Sequence, residues 1–211
     1  MYTQLKHTVH ENALKAYNTG LMAGTSGNFS TVDRDLKVMA ITPSGAAYET
    51  MLPEDITVID FNGNILFGTK PPSSEWQMHL SIYEKMADVG GVAHTHSPYA
   101  TSFAVLNQSI PVVLIEMVLL GGEVPLAPFA MPGSKDLGDV TAATLLNKQT
   151  TACLLANHGA IAIGKTLDEA YMKAVYLEDS AKIYHYAKSI GEVHLVHESA
   201  INEMKQKLGL L

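Results

Sequence analysis

Hydrophobic positions along the chain change their period several times, and each change predicts an element. Residues 4–18 set Leu5, Val9, Ala13 and Ala16 at helical spacing and run towards Gly20, a residue suited to ending a helix. They predict an amphipathic helix docked through that stripe. His7 and His10 lie off it and are expected in solvent. A strand is expected after the turn Ala23-Gly24-Thr25-Ser26-Gly27, and the apolar run Val38-Met39-Ala40-Ile41 leads into a second turn, Thr42-Pro43-Ser44-Gly45. Residues 56–60 alternate as a strand does, Asn62-Gly63-Asn64 is a strong hairpin signal, and Ile65-Leu66-Phe67 is the returning strand.

Pro71 and Pro72 close that region. Ser74 with Gln77 forms an S-x-x-Q capping box for a helix that begins at Glu75 and reaches about residue 86, with Trp76, Leu80 and Tyr83 as its buried stripe. Gly91-Val92-Ala93 leads a strand into His94, and Ser97-Pro98 opens a helix to about residue 106. The apolar run 112–120 fits helix and strand equally and stops at Gly121-Gly122. Residues 124–128 resemble a short edge strand, 134–148 an amphipathic helix, and 151–164 two short strands around Asn157-His158-Gly159. A long helix over 167–189 carries Ala170, Ala174, Leu177, Ala181 and Tyr184 on one stripe, and a last short helix spans about 198–208. His185, His194 and His197 share no spacing with the other histidines and are assigned to the surface. Strands and helices are interspersed, with no internal repeat and no long linker. The pattern predicts one α/β domain over residues 1–211, a three-layer α/β/α sandwich with a mixed, mainly antiparallel sheet.

Composition narrows function more than fold. With 211 residues, 47% of them hydrophobic and 17% charged, the chain can bury a substantial core and is not of the disordered type. The formal charge of -7, with no dense Lys/Arg block, offers no electrostatic footprint for nucleic acid. An anionic small molecule is still compatible, because a metal or helix amino termini can make a positive spot in an acidic protein. Cys153 is the one cysteine and sits in an apolar run, so a buried thiol is expected and no intrachain disulfide can form. The amino terminus lacks the apolar stretch of a secretory signal, and the run from Pro111 to Leu120 is too short to span a bilayer and contains Glu116. No membrane partner and a cytoplasmic location are therefore expected.

The candidate chemistry begins at His94-Thr95-His96. Side chains at i and i+2 of a strand point to one face, so both rings would face one spot. Two converging neutral imidazoles make a poor core pair, since each needs a donor and an acceptor partner, but a good half of a metal site. An H-x-H also occurs by chance in a strand; what weighs against chance is Glu75 after a serine pair and His158 in a turn after another apolar run. His79, one helical turn beyond Glu75, is expected to pack or to support a ligand rather than to be one. The plain role of Ser73 and Ser74 is capping. Amides at that helix start would also suit a phosphate, as would the glycine-rich turns near Gly27 and Gly45.

Gly24-Thr25-Ser26-Gly27-Asn28, Thr42-Pro43-Ser44-Gly45, Pro72-Ser73-Ser74-Glu75-Trp76, His94-Thr95-His96-Ser97 and Asn157-His158-Gly159, in this order and at these separations, resemble the class II aldolase/adducin family. Its L-fuculose-1-phosphate aldolase branch is the most similar, and the resemblance covers nearly the whole chain. It implies a homotetrameric, zinc-dependent sugar-phosphate lyase, another divalent transition metal being an alternative. His94, His96 and His158 would bind the metal, with Glu75 as a fourth ligand in the empty enzyme. Gly27, Asn28, Ser44, Gly45, Ser73 and Ser74 would cradle the substrate phosphate. The implied substrates are a phosphorylated ketose, or dihydroxyacetone phosphate plus an aldehyde. Cleaving a carbon–carbon bond beside a carbonyl builds negative charge that a zinc ion stabilises as an enediolate, and Glu75 is placed to shuttle the proton on the adjacent carbon.

Two departures bear on the aldehyde. That branch carries a catalytic tyrosine shortly before the double glycine, where Ile115 stands here, and another in a carboxyl-terminal tail, whereas the last tyrosine here is Tyr186. Glu116 is the candidate replacement. The rival readings are an L-ribulose-5-phosphate 4-epimerase, which resembles this chain in its metal histidines but has an aspartate at the position of Glu75, a related sugar-phosphate dehydratase or decarboxylase, and a non-enzymatic adducin-like scaffold.

Overall fold

The structure, a computed structural model, describes residues 2–210; Met1 and Leu211, the ends of the expected domain, lie outside the described residues. The alternating segments pair into one eight-stranded sheet: β1 (Asn28–Asp33), β2 (Val38–Ile41), β3 (Thr57–Asp60), β4 (Ile65–Phe67), β5 (Gly91–Thr95), β6 (Leu126–Ala127), β7 (Ala152–Leu155) and β8 (Gly159–Gly164). Their order is β4-β3-β2-β1-β5-β8-β7-β6, and every pair is antiparallel except β6 with β7. Both edges are short. β4 exposes about half of Ile65 and Leu66, and β6 has two residues.

Helices cover both faces. α1 (Thr3–Asn18), α3 (Pro98–Val105) and α5 (Leu167–Ile190) pack on one face with Phe29, Ala93 and Ala162, while α2 (Trp76–Lys85) and α4 (Lys135–Lys148) pack on the other with Met39, Val92 and Ile161. Alternation along a strand explains the sorting. Ala93 and Val92 are neighbours in β5 and belong to opposite cores, each burying its apolar surface completely. α6 (Glu198–Lys207) has no buried residue, and its partly buried Ile201 packs against the core on the α5 side. No described helix is long and apolar enough to cross a membrane.

Most predicted elements are found within a residue or two of their expected bounds, the hairpin at Asn62-Gly63-Asn64 included, where Asp60 Oδ1 accepts the amides of Asn62 and Asn64 at 2.8 and 2.9 Å. Ser134 caps α4 by accepting from the amide of Leu137 at 3.2 Å. Four expectations are corrected. The run 112–120 is neither helix nor strand but ends in a 3-10 helix, Ile115–Leu120, because Thr151 and Val196 draw the carbonyls of Leu120 and Val112 into bonds with other segments. α2 starts one residue late, with Glu75 at its cap position and no side-chain cap; Ser73, not Ser74, turns its hydroxyl to the main chain by accepting from the amide of Glu75 at 3.3 Å. The helix is also buried on more than a stripe, because α4 covers the side away from the sheet: Met78 to Tyr83 are all buried, while Trp76 is only partly so. Finally, His7 is exposed but His10 is not, since its Nε2 donates to the carbonyl of Met51 at 2.8 Å.

Candidate metal centre

The site forms where β1 begins, β5 ends and β8 begins. Asn28 and His94 are cross-strand partners, and both point to the face carrying α2, as do Ser30 and Val92 two residues along. His96 follows the last residue of β5, and His158 occupies the tight turn between β7 and β8. α2 starts over these strand ends, so Glu75 projects down onto them. Glu75, His94, His96 and His158 each offer a ligand atom, all within 4.8 Å of one another. The three imidazole ring centres are 4.8 to 5.0 Å apart.

Two glycines permit this closeness. A Cβ on Gly159 would meet the carbonyl oxygen of Thr95 at 2.4 Å and carbons of both the His94 and His96 rings at 3.2 Å. Only a residue without a side chain lets the β7–β8 turn lie against the end of β5. Gly27, at φ +76, would place a Cβ 2.8 Å from the carbonyl of His94, and its own carbonyl accepts from the Tyr48 hydroxyl at 2.8 Å.

Hydrogen bonds fix the protons. His94 Nδ1 lies 3.0 Å from the carbonyl of Ala160, which only accepts, so Nδ1 carries the hydrogen and Nε2 turns its lone pair into the cluster. That nitrogen faces Glu75 Oε2 at 3.0 Å and His96 Nε2 at 3.1 Å. His158 Nε2 lies 3.3 Å from Glu75 Oε1, while Glu75 Oε1 and His158 Nδ1 are buried without hydrogen-bond partners. Burial lowers His96 and His158 to about 4, with neighbouring imidazoles adding to the effect and Glu75 opposing it. For Glu75, burial pushes the carboxyl up, but His94 and His158 beside it and the Asn28 amide outweigh this and hold it well below the usual carboxylate range. At neutral pH His96 and His158 are therefore uncharged and keep a lone pair each beside the ionised Glu75 carboxylate. Electron-rich atoms meeting with too few hydrogens between them are what a cation requires, so the residues fit a divalent metal.

The six residues expected around a phosphate, Gly27, Asn28, Ser44, Gly45, Ser73 and Ser74, line one cleft together with Glu75, His96 and His158. Ser44 and Ser74 are exposed in it, whereas Asn28 is buried with its amide donating to Glu75 Oε2 at 2.9 Å. Thr25, Ser26 and Pro43 also border the cleft and belong to turns singled out by their glycine and hydroxyl content. Pro132 carried no such signal. It arrives on the loop before α4, where a Cβ on Gly133 would meet the carbonyl of Ser74 at 3.1 Å. His79 is not in the cluster but fully buried behind it. Glu116 is exposed and not among the cleft residues, and Cys153 is buried in the core, where burial raises its thiol to about 12.

Comparison with known proteins bears on the family and the fold. Residues 8–185 match the profile of the class II aldolase and adducin N-terminal domain. The chain is 37% identical over 193 residues to 5-deoxy-D-ribulose 1-phosphate aldolase of Bacillus thuringiensis serovar kurstaki, covering 92% of this chain and 90% of that one. It is 36% identical over 182 residues to L-fuculose phosphate aldolase of Escherichia coli, covering 86% and 82%. A solved L-fuculose 1-phosphate aldolase superposes with a TM-score of 0.92 at 35% identity, over 98% of this chain and 96% of that one.

Proposed function

Because the chain belongs to the class II aldolase and adducin family, we propose that it is a metal-dependent lyase that cleaves a ketose 1-phosphate into dihydroxyacetone phosphate and an aldehyde. The observation that carries this reading is the meeting of Glu75, His94, His96 and His158 within 4.8 Å at the wall of a cleft lined by small and hydroxyl-bearing residues. Three imidazoles and one carboxylate suit zinc best among common divalent ions. When bound, that cation supplies Lewis-acid stabilisation of the charge that builds on the carbonyl oxygen.

The chain's own groups do the rest. In the direction of synthesis, the Glu75 carboxylate takes a proton from the carbon beside the carbonyl of dihydroxyacetone phosphate. The electron pair left behind forms the new bond to the aldehyde carbon while that carbon's C=O π pair moves onto oxygen, which becomes a hydroxyl by taking a proton from water. Cleavage is the reverse. Gly27, Asn28, Ser44, Gly45, Ser73 and Ser74 hold the phosphate through amides, hydroxyls and the amino-terminal end of α2. Anchoring that end orients the reacting carbon against Glu75.

The relatives are named for two ketose 1-phosphates, 5-deoxyribulose and L-fuculose 1-phosphate, which share the dihydroxyacetone phosphate half and differ in the aldehyde. Removing the dihydroxyacetone phosphate half from 5-deoxyribulose 1-phosphate leaves acetaldehyde, and the 37% identity to the relative named for that ketose supports a short aldehyde with an apolar tail. The homotetramer that the family resemblance implies is part of the same reading. The test is to incubate the protein with dihydroxyacetone phosphate and acetaldehyde, lactaldehyde or glyceraldehyde, with and without chelator. Chelator-sensitive condensation, fastest with acetaldehyde, is expected; an epimer, or loss of water or carbon dioxide from a ketose phosphate without condensation, would replace the aldolase reading by one of its rivals.

A further inference from the structure

Behind the cluster, and joined to it through Asn28, runs a line of buried polar groups, His79, Ser30 and Tyr83, that no proton-transfer or phosphate role uses. The carboxamide of Asn28 donates to Glu75 Oε2 at 2.9 Å, and its oxygen lies 2.6 Å from His79 Nε2. His79 Nδ1 lies 2.6 Å from Ser30 Oγ. Tyr83 Oη lies 2.8 Å from Ser30 Oγ and 2.9 Å from the Ser30 carbonyl. All of these side chains are buried, and His79, Ser30 and Tyr83 completely so.

The donor directions follow from what each atom can do. A carboxamide oxygen only accepts, so His79 Nε2 carries the ring's hydrogen and Nδ1 is an acceptor. The single hydroxyl hydrogen of Ser30 is therefore committed to Nδ1, and Tyr83 donates to the oxygens of Ser30. Every donor in the line points the same way: Tyr83 to Ser30, Ser30 to His79, His79 to Asn28, Asn28 to Glu75. Reversing the Asn28 carboxamide would set an amide N–H against the His79 N–H and an oxygen against the Glu75 carboxylate, two buried conflicts at once.

We propose that His79 is a positioning residue that locks the Asn28 carboxamide and thereby selects the oxygen of Glu75 that carries the proton. Oε2 is occupied by the Asn28 amide and the His94 ring nitrogen. Oε1 is buried without a hydrogen-bond partner and faces His158. Oε1, which accepts no hydrogen bond, is therefore the oxygen free to take the proton from carbon once the carboxylate is not held by the metal. This assignment rests on the reading of Glu75 as the proton carrier.

His79→Phe keeps a ring of similar size and removes both nitrogens, and His79→Gln restores a donor. Three readouts are taken on native protein and each variant: metal content, the visible spectrum of the cobalt-loaded protein, and the exchange of the carbon-bound hydrogen of dihydroxyacetone phosphate with heavy water followed by NMR. His79→Phe is expected to hold its metal, shift the cobalt spectrum, and lose roughly 10–100-fold in exchange rate with little change in KM. His79→Gln should recover most of the rate. Exchange by metal-loaded His79→Phe within about twofold of native would overturn the proposal, as would a loss fully reversed by saturating metal. If native protein exchanges no hydrogen, the aldolase reading fails by itself, and an unchanged cobalt spectrum in His79→Phe would separately refute the positioning role. Should His79→Phe not fold, Ser30→Ala leaves the ring in place and frees its tautomer. A smaller loss in exchange is then expected, and native behaviour overturns the proposal.

Discussion

Replacing Gly159 by alanine tests whether backbone proximity sets the convergence of the rings. The added Cβ would lie 2.4 Å from the Thr95 carbonyl oxygen, where ordinary contact begins near 3.4 Å, so the β7–β8 turn or the end of β5 must move by up to 3.4 − 2.4 = 1.0 Å. Both are main chain in a paired ladder and yield poorly. The same Cβ sits 3.2 Å from the rings of His94 and His96, so the strain falls on the cluster itself. Overpacking of this kind costs about 1–3 kcal/mol, which for a chain of this size lowers Tm by roughly 3–10 °C. A ligand displaced by about 1 Å costs on the order of 100-fold in rate. Differential scanning calorimetry of the metal-free protein reads the first effect, and chelator competition with steady-state turnover reads the second. Gly191→Ala is the control, because nothing lies within 4 Å of its Cβ and its φ of 174° is extended backbone open to any residue. A Gly159→Ala protein with native Tm, metal affinity and turnover would refute the reasoning outright.

Glu75→Gln should bind the phosphate-bearing substrate but lose about 10²–10⁴-fold in turnover with metal present, as steady-state kinetics would show; normal turnover would remove Glu75 from the chemistry. Stripping the metal should destabilise the protein by about 4 kcal/mol when the ion had been present at a thousand times its Kd, seen as a Tm drop that zinc reverses; an unchanged Tm would mean no tightly held ion. His79 is buried neutral with its pKa lowered to about 3, chiefly by burial and then by His94, whereas the unfolded chain protonates it near 6.5. Its folded form binds fewer protons, so its contribution to stability is whole above about pH 6.5 and is lost as pH falls towards 3, with a slope of up to ~1.4 kcal/mol per pH unit. Urea titrations from pH 7 to 4 should show a shallower fall for His79→Phe.

What could be read in the chain was local. Asn62-Gly63-Asn64 and Asn157-His158-Gly159 announce their turns by chemistry that acts within four residues, and each is found where expected. His94 and His96 were legible because strand geometry converts a spacing of two into a shared direction. What escaped notice depends on partners far along the chain. The 3-10 helix at Ile115–Leu120 forms because Thr151 and Val196 claim nearby carbonyls, and no periodicity within the run encodes that. His10 left solvent for Met51, 41 residues on. The line from Tyr83 to Glu75 joins β1 to α2 across about fifty residues; the sequence placed His79 beside the site, but its link to Asn28 needed the sheet to be assembled.

The two brief edge strands have a consequence for the protein's life in concentrated solution. A sheet margin is a template on which a foreign chain can add as another strand. Here β4 offers three residues and β6 two before the backbone turns away, so an arriving chain finds few bonds to nucleate on, even though Ile65 and Leu66 present an inviting surface. Lengthening the β3–β4 hairpin by a few β-branched residues would remove that protection and leave the chain prone to fibrous aggregation.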